Sequence, residues 1–282
     1  MIEIQGDYHT HSDNSDGKST IEQVIHAAKA AGLREVAITD HGHGRCLGSV
    51  KPKQYSMLKA LVEKCGEETG IKALFGIEAN ITGSRGQIDF RCDEDDSLVD
   101  ILLCGIHRLV KPANILSLFT FLIPNWLCGL VRYTPNSLVM KNTEIVKRAI
   151  LENNIDIFVH PNRYFKVDVV EIAKACAERG TLIELNSKKI SFRPIDFERM
   201  AAVGAKFIIC SDAHTPRRVG HIGRVVDFLK LCDWREEDII NINGTFKRRE
   251  TFEGGIKIEK LEGDDDIHPK NKKRADRKKN RK

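Results

Sequence analysis

Short apolar runs recur along the chain, each closed by polar residues. They are Val36 to Thr39, Leu74 to Ile77, Ile101 to Ile106, Ile155 to Val159, Leu182 to Leu185 and Phe207 to Cys210. Runs of this length, rich in aliphatic and β-branched residues, predict buried strands. The segments between them carry helical signals. Ser19-x-x-Glu22 reads as a capping box in front of Ile21, Val24, Ile25 and Ala28, with Gly32 as the stop. Asp168-x-x-Glu171 repeats the signature before Val169 to Arg179, and Gly180 closes it. Strand and helix alternate, which predicts a parallel sheet with crossover helices. A chain of 282 residues suits one α/β domain of barrel size.

In such barrels the chemistry sits at the C-terminal ends of the strands. Here those ends carry histidines and acids. The runs lead to Asp40-His41, Glu78, His107, His160, and through Ser211 to Asp212-Ala213-His214. Near the start, Asp7-Tyr8-His9-Thr10-His11 places two histidines one residue apart, on the same face of an extended segment. Both imidazoles can then reach one cation. One strand-end histidine is commonplace, whereas six such ends in one chain predict a shared metal site. The set is imidazole plus carboxylate without thiolate, which suits Zn²⁺, Mn²⁺ or Fe²⁺.

These residues resemble the motifs of the PHP family, named for polymerase and histidinol phosphatase, over roughly residues 1–245. The paired histidines are His9 and His11, and a third N-terminal ligand falls on Asp16 in Ser15-Asp16-Gly17. Thr39-Asp40-His41 matches the Thr-Asp-His motif, Glu78 the bridging glutamate, His107 and His160 the next two histidines, and Asp212-Ala213-His214 the Asp-x-His motif. The resemblance implies a distorted (β/α)7 barrel with a trinuclear centre of three divalent ions at the C-terminal ends of the strands. It implies one ion on His9, His11, Glu78 and Asp212, a second on Glu78, His107 and His160, and a third on Asp16, His41 and His214. Glu78 and Asp212 would position the nucleophilic water. Asp40 is expected to support the ligands by hydrogen bonding rather than to hold an ion.

The reaction expected of such a centre is hydrolysis of a phosphoester by metal-bound hydroxide. Phosphate needs positive side chains, and Arg163 and Arg217 lead that group, with Lys188, Lys189, Arg193 and Arg218 on the same predicted loops. There is no Gly-x-Ser-x-Gly elbow and no phosphate-cradling Gly-x-x-x-x-Gly-Lys loop. None of the eight cysteines forms Cys-x-x-Cys, so reduced thiols and a cytoplasmic enzyme are expected. No signal peptide is read ahead of the first strand.

Two segments depart from a bare barrel. Lys111 to Lys141 follows His107 directly and contains the apolar stretch Ile115 to Val131, broken by Pro124 and Asn125. It is read as a lid-like insertion partly packed on the barrel, with peripheral membrane contact or dimer contact through the patch as the minor alternatives and a membrane span not expected. Residues 246–282 form a C-terminal extension, with a terminal hairpin expected from Phe246 to Leu261. Its last fifteen residues, from His268, carry +8, while the whole chain carries +5; residues 1–267 therefore carry −3. The tail reads as a solvated, disordered run, able to attract nucleic acid nonspecifically. The combined expectation is a phosphatase acting on a small phosphorylated substrate. Its alternatives are a histidinol-phosphate phosphatase, a free-standing nuclease or nucleotide phosphatase, and, in another class, a non-catalytic metal-stabilised interaction module.

Overall fold

A computed structural model describes residues 2–91 and 95–248. Seven strands, β1 (Gly6–Thr10), β2 (Glu35–His41), β3 (Lys72–Asn80), β4 (Ile101–Gly105), β5 (Ile157–Phe158), β6 (Leu182–Asn186) and β7 (Phe207–Cys210), pair in sequence order. Every pairing is parallel, and α-helices run between the strands except from β3 to β4, where the described residues hold only the 3-10 turn Asp96–Leu98; the sheet curls into a nearly closed (β/α)7 barrel. The fifth strand is shorter than the run Ile155 to Val159 suggested, because His160 turns the chain away with φ 56°.

The seam between β1 and β7 closes partly through the backbone and partly through side chains. His11 N–H donates to the Ala213 carbonyl at 2.8 Å. Asp7 accepts from Ser211 N–H at 3.0 Å and Ser211 Oγ at 2.5 Å. Buried Asn241 spans the same seam, donating to the carbonyls of Gly6 (2.9 Å) and Ile209 (2.8 Å) and accepting from Ile209 N–H. These side chains satisfy strand-edge groups that the ladder leaves open.

Alternation along each strand sorts the residues between two cores. Ala37, Leu74, Ile101, Leu103, Ile157, Leu182, Ile208 and Cys210 fill the barrel interior, together with Tyr8 and Phe246. The opposite faces pack on the helices, for example through Ile21, Val24, Ile25 and Ala28 of the helix Ile21–Ala30. Each large aliphatic so buried contributes roughly 1.5–3 kcal/mol. Continuing the interior period by two residues at a time leads from Leu74 to Glu78, from Leu103 to His107, from Leu182 to Glu184, and from Ile208 to Asp212. The apolar floor of the barrel and its polar rim therefore belong to one face of one sheet. In β1, Tyr8 lies in the interior core while His9 and His11 reach the rim; the register shift between Asp7 and Thr10 supplies the change of phase.

Two helix starts were read from the sequence, and one moves. The cap of the first helix is Thr20, with Gln23 completing the box, one residue later than Ser19 and Glu22. Both registers fit the motif, and Thr20 takes the extended conformation that a cap needs. Asp168 caps Val169–Arg179 as expected, and Gly180 ends it with φ 66°. Within the insertion, residues 115–131 form one helical rod, Ile115–Ser117, a π-helical turn Leu118–Leu122, and Ile123–Val131, and the insertion's last residues begin the helix Asn136–Glu152. Asn114 caps the rod, and Arg132 terminates it in the left-handed region. No helix among the described residues is long and apolar enough to cross a membrane. Apart from Phe246, Lys247 and Arg248, the expected hairpin and basic tail lie outside the described residues.

Candidate metal centre

The strand ends bring His9, His11, His41, Glu78, His107, His160 and Asp212 together, all nearly inaccessible to solvent. Asp16 and His214 join them from the loops after β1 and β7. The ring centroids of neighbouring histidines lie 4.4–5.3 Å apart. Four groups of ligand atoms are close enough to share an ion: His11, Asp16, His41 and His214; His9, His160 and Asp212; His9, His11 and Glu78; and His41, Glu78 and His107. All nine residues singled out as ligands appear among them. The groups overlap: His9, His11 and Glu78 stand together as the resemblance implies, while His11 also lies with the Asp16 group and His160 with His9 and Asp212.

Glu78 sits at the centre. Its Oε2 faces His9 Nε2 (3.4 Å), His11 Nε2 (3.5 Å) and His41 Nδ1 (2.8 Å). Its Oε1 faces His107 Nε2 (3.1 Å) and His160 Nε2 (3.0 Å). The two oxygens thus divide the histidines into two sets. Neither oxygen makes a well-aligned hydrogen bond, and the same is true of His11 Nδ1, Asp16 Oδ1, His41 Nδ1 and both ring nitrogens of His107. Buried polar atoms are ordinarily satisfied. A concentration of unsatisfied ones, of ligand type and facing one another, fits divalent cations.

The electrostatics point the same way. Burial would raise the Glu78 carboxyl, but His41, His107 and His9 hold it well below its ordinary value. Asp212 and Asp16 are likewise held low against burial, by His9 and His160 and by His214 and His41 respectively. Burial and the neighbouring His41 push His11 far down, and burial brings His107 to about 4. His9 moves the other way: against burial, Glu78 and Glu184 hold it well above its ordinary value. Ionised carboxylates among these imidazoles make a receptor for cations.

Three supporting carboxylates surround the cluster. Asp40 accepts from Ser12 N–H (2.8 Å), Ser12 Oγ (2.5 Å) and Ser15 Oγ (2.5 Å), which shapes the loop that carries Asp16. Asp89, bonded to Asn80 and Gly44, fixes the loop after His41. Glu184, which sequence reasoning passed over, contacts ligands directly. It accepts from His9 Nδ1 at 2.6 Å and His160 N–H at 2.9 Å, and Asn186 braces it at 3.1 Å. Its signal was the polar residue inside the Leu182–Asn186 strand on the interior-facing period. Backbone strain concentrates here too, since His160, Asn162 and Asp212 all take positive φ.

Of the cations expected at the mouth, Arg163 donates to Asp212 Oδ2 at 3.0 Å and lies over the Tyr164 ring. Lys188 Nζ lies 3.5 Å from Asp212 Oδ1 and 3.4 Å from His214. Arg217 is exposed in the turn Pro216–Arg218, and no contact among the described residues ties it to the cluster. Arg45, not anticipated, pairs with Asp16 at 2.9 Å.

Residues 7–227 match the family model of the PHP domain, and the chain belongs to that family. A protein of Shewanella sp. strain ANA-3 named as a probable phosphatase is 28% identical over 245 residues, covering 83% of this chain and 86% of its own length. Another so named, from Caldanaerobacter subterraneus subsp. tengcongensis, is 28% identical over 247 residues, with the same two coverages. Among solved structures, the histidinol phosphate phosphatase of Lactococcus lactis, complexed with zinc, L-histidinol and phosphate, superposes with a TM-score of 0.53 over 82% of this chain and 95% of its own. At 17% identity that likeness is one of fold. Family, barrel and buried ligand cluster together define a metal-dependent, phosphatase-type hydrolase.

Proposed function

We propose that the chain hydrolyses a small phosphomonoester at a trinuclear centre held by His9, His11, Asp16, His41, Glu78, His107, His160, Asp212 and His214. The observation that carries this reading is Glu78. Its carboxylate is wholly buried, lacks well-aligned hydrogen bonds, and presents a separate oxygen to each of two histidine sets. When bound, divalent ions there would acidify a water and neutralise phosphate oxygens.

The chain's own residues do the rest. Glu184 would hold the Nδ1 proton of His9, leaving Nε2 directed at the cluster. Arg163, fixed between Asp212 and Tyr164, has guanidinium donors to offer a phosphate at the mouth. Lys188 adds a second, more exposed cation. Arg217 would reach substrate from outside this ring of contacts. The names of the relatives, probable phosphatases, favour a phosphatase over a nuclease. Turnover of a phosphomonoester panel by Arg163→Ala and Arg217→Ala tests the mouth. Loss of a charge-assisted contact from Arg163 should lower kcat/KM about 10- to 100-fold. Wild-type kcat/KM in Arg163→Ala, on every substrate turned over, would remove it from the site.

A further inference from the structure

Beyond the reaction, we propose that the insertion helix docks flat on an anionic phospholipid surface, with the mouth of the metal centre on the side that docks. The helix buries one side against the protein, through Ser117, Phe121, Leu122 and Asn125. Its other side is also apolar and faces outward. Ile115, Leu116, Phe119, Leu127, Leu130 and Val131 are 55–80% exposed. At 100° per residue these six fall within one half of the helix surface. A soluble helix places polar residues there, and a patch of this kind marks a contact surface.

The charge around the patch selects the occupant. From Ile101 to Thr143 the chain has no aspartate or glutamate and four cations, Arg108, Lys111, Arg132 and Lys141. All four are exposed, and none is in an ion pair among the described residues. Arg108 and Lys111 precede the rod and Arg132 ends it, while Lys141 lies on the next helix, Asn136–Glu152. A second copy of the chain on the same patch would set cations against cations, because a two-fold contact repeats one surface on both sides. An acidic lipid surface complements both the apolar stripe and the flanking charge. The rod is seventeen residues long, about 26 Å, and it is not long and apolar enough to cross a membrane. Lying in the interface is the geometry left to it.

The rod is tied to the mouth. Trp126 Nε1 donates to the Arg108 carbonyl at 2.8 Å, one residue past the ligand His107. Phe121 packs edge-on against Phe165, next to Tyr164. Cys46 N–H donates to the Leu109 carbonyl and Lys111 N–H to the Gly44 carbonyl, joining the root of the rod to the loop of Arg45. A surface that takes the stripe would lie beside the entrance.

The test uses the full chain and sedimentation with vesicles of phosphatidylcholine alone or with 30% phosphatidylglycerol. The basic C-terminal run also attracts anionic vesicles, so binding is read at low salt and at about 0.5 M NaCl, where the Debye length falls to a few ångströms. Wild type should bind the anionic vesicles selectively and keep most of that binding in salt, with tryptophan quenched by brominated acyl chains. Phe119→Asp and Leu130→Asp, made separately at exposed positions, should each weaken salt-resistant binding at least tenfold while leaving turnover of a soluble phosphomonoester unchanged. Binding that disappears in salt and ignores both substitutions would assign the effect to the tail and overturn the proposal. So would absence of vesicle binding combined with a dimer that either substitution dissociates, or no binding at all.

Discussion

Glu184→Gln separates a positioning carboxylate from a bystander. Gln keeps the shape of the side chain but has a single acceptor oxygen. In the native protein two oxygens divide the work, Oε1 accepting from His9 Nδ1 at 2.6 Å and Oε2 from His160 N–H at 2.9 Å. The amide therefore leaves one buried donor facing an NH₂ group. Losing a hydrogen bond to a charged group costs about 1.5–3 kcal/mol. Carboxylates that orient metal-binding histidines are worth 10- to 100-fold in affinity, or about 1.4–2.7 kcal/mol, and the two routes agree. Metal affinity measured by competition with a chromogenic chelator should thus fall 10- to 100-fold. Turnover at saturating metal should fall less, because Glu184 touches ligands rather than substrate. Native affinity and native turnover in Glu184→Gln, in a folded protein, would refute the reasoning.

Two further outcomes concern the scaffold. Asn241→Ala removes three hydrogen bonds across the β1–β7 seam and leaves buried carbonyls at Gly6 and Ile209; chemical denaturation should show a loss of about 2–4 kcal/mol, and a loss below 0.5 kcal/mol would mean the seam holds without it. Asp238 accepts from Arg235 and Lys206, which hold its carboxyl below the ordinary value against burial. A depressed folded value contributes stability that is present above the unfolded value and lost as pH falls through the folded one, so Asp238→Asn should flatten the Tm profile below about pH 4 and an unchanged acid limb would contradict the pairing.

The barrel was legible because six of the seven strands announced themselves as apolar runs, and five of those runs led to a ligand-type residue; the first strand showed instead through its paired histidines. The convergence of Glu78, His107 and Asp212 followed from topology, since parallel strands place all their C-terminal ends on one side. What escaped were residues whose position depends on three-dimensional paths. Glu184 lies within a strand rather than at its end, so a search of strand ends passes it by, while the interior period from Leu182 reaches it. Arg45 approaches Asp16 only because Asp89 and the bridge from Arg45 to Val110 fold its loop inward. In the insertion, a run apolar on every side has no period, so the sequence carries no sign of which half faces solvent. The shift of the cap from Ser19 to Thr20 is the ordinary ambiguity of two adjacent capping residues.

The most direct test of the central claim is elemental analysis of protein purified without chelator and reconstituted with Zn²⁺ or Mn²⁺, run beside Glu78→Gln and paired with phosphomonoester turnover. The account predicts about three ions per wild-type chain, from nine ligands arranged around one bridging carboxylate. It predicts hydrolysis that chelation abolishes, and loss of both most of the metal and most of the activity in Glu78→Gln. One ion or none in the wild type, or a Glu78→Gln protein with full metal content and normal turnover, would contradict it.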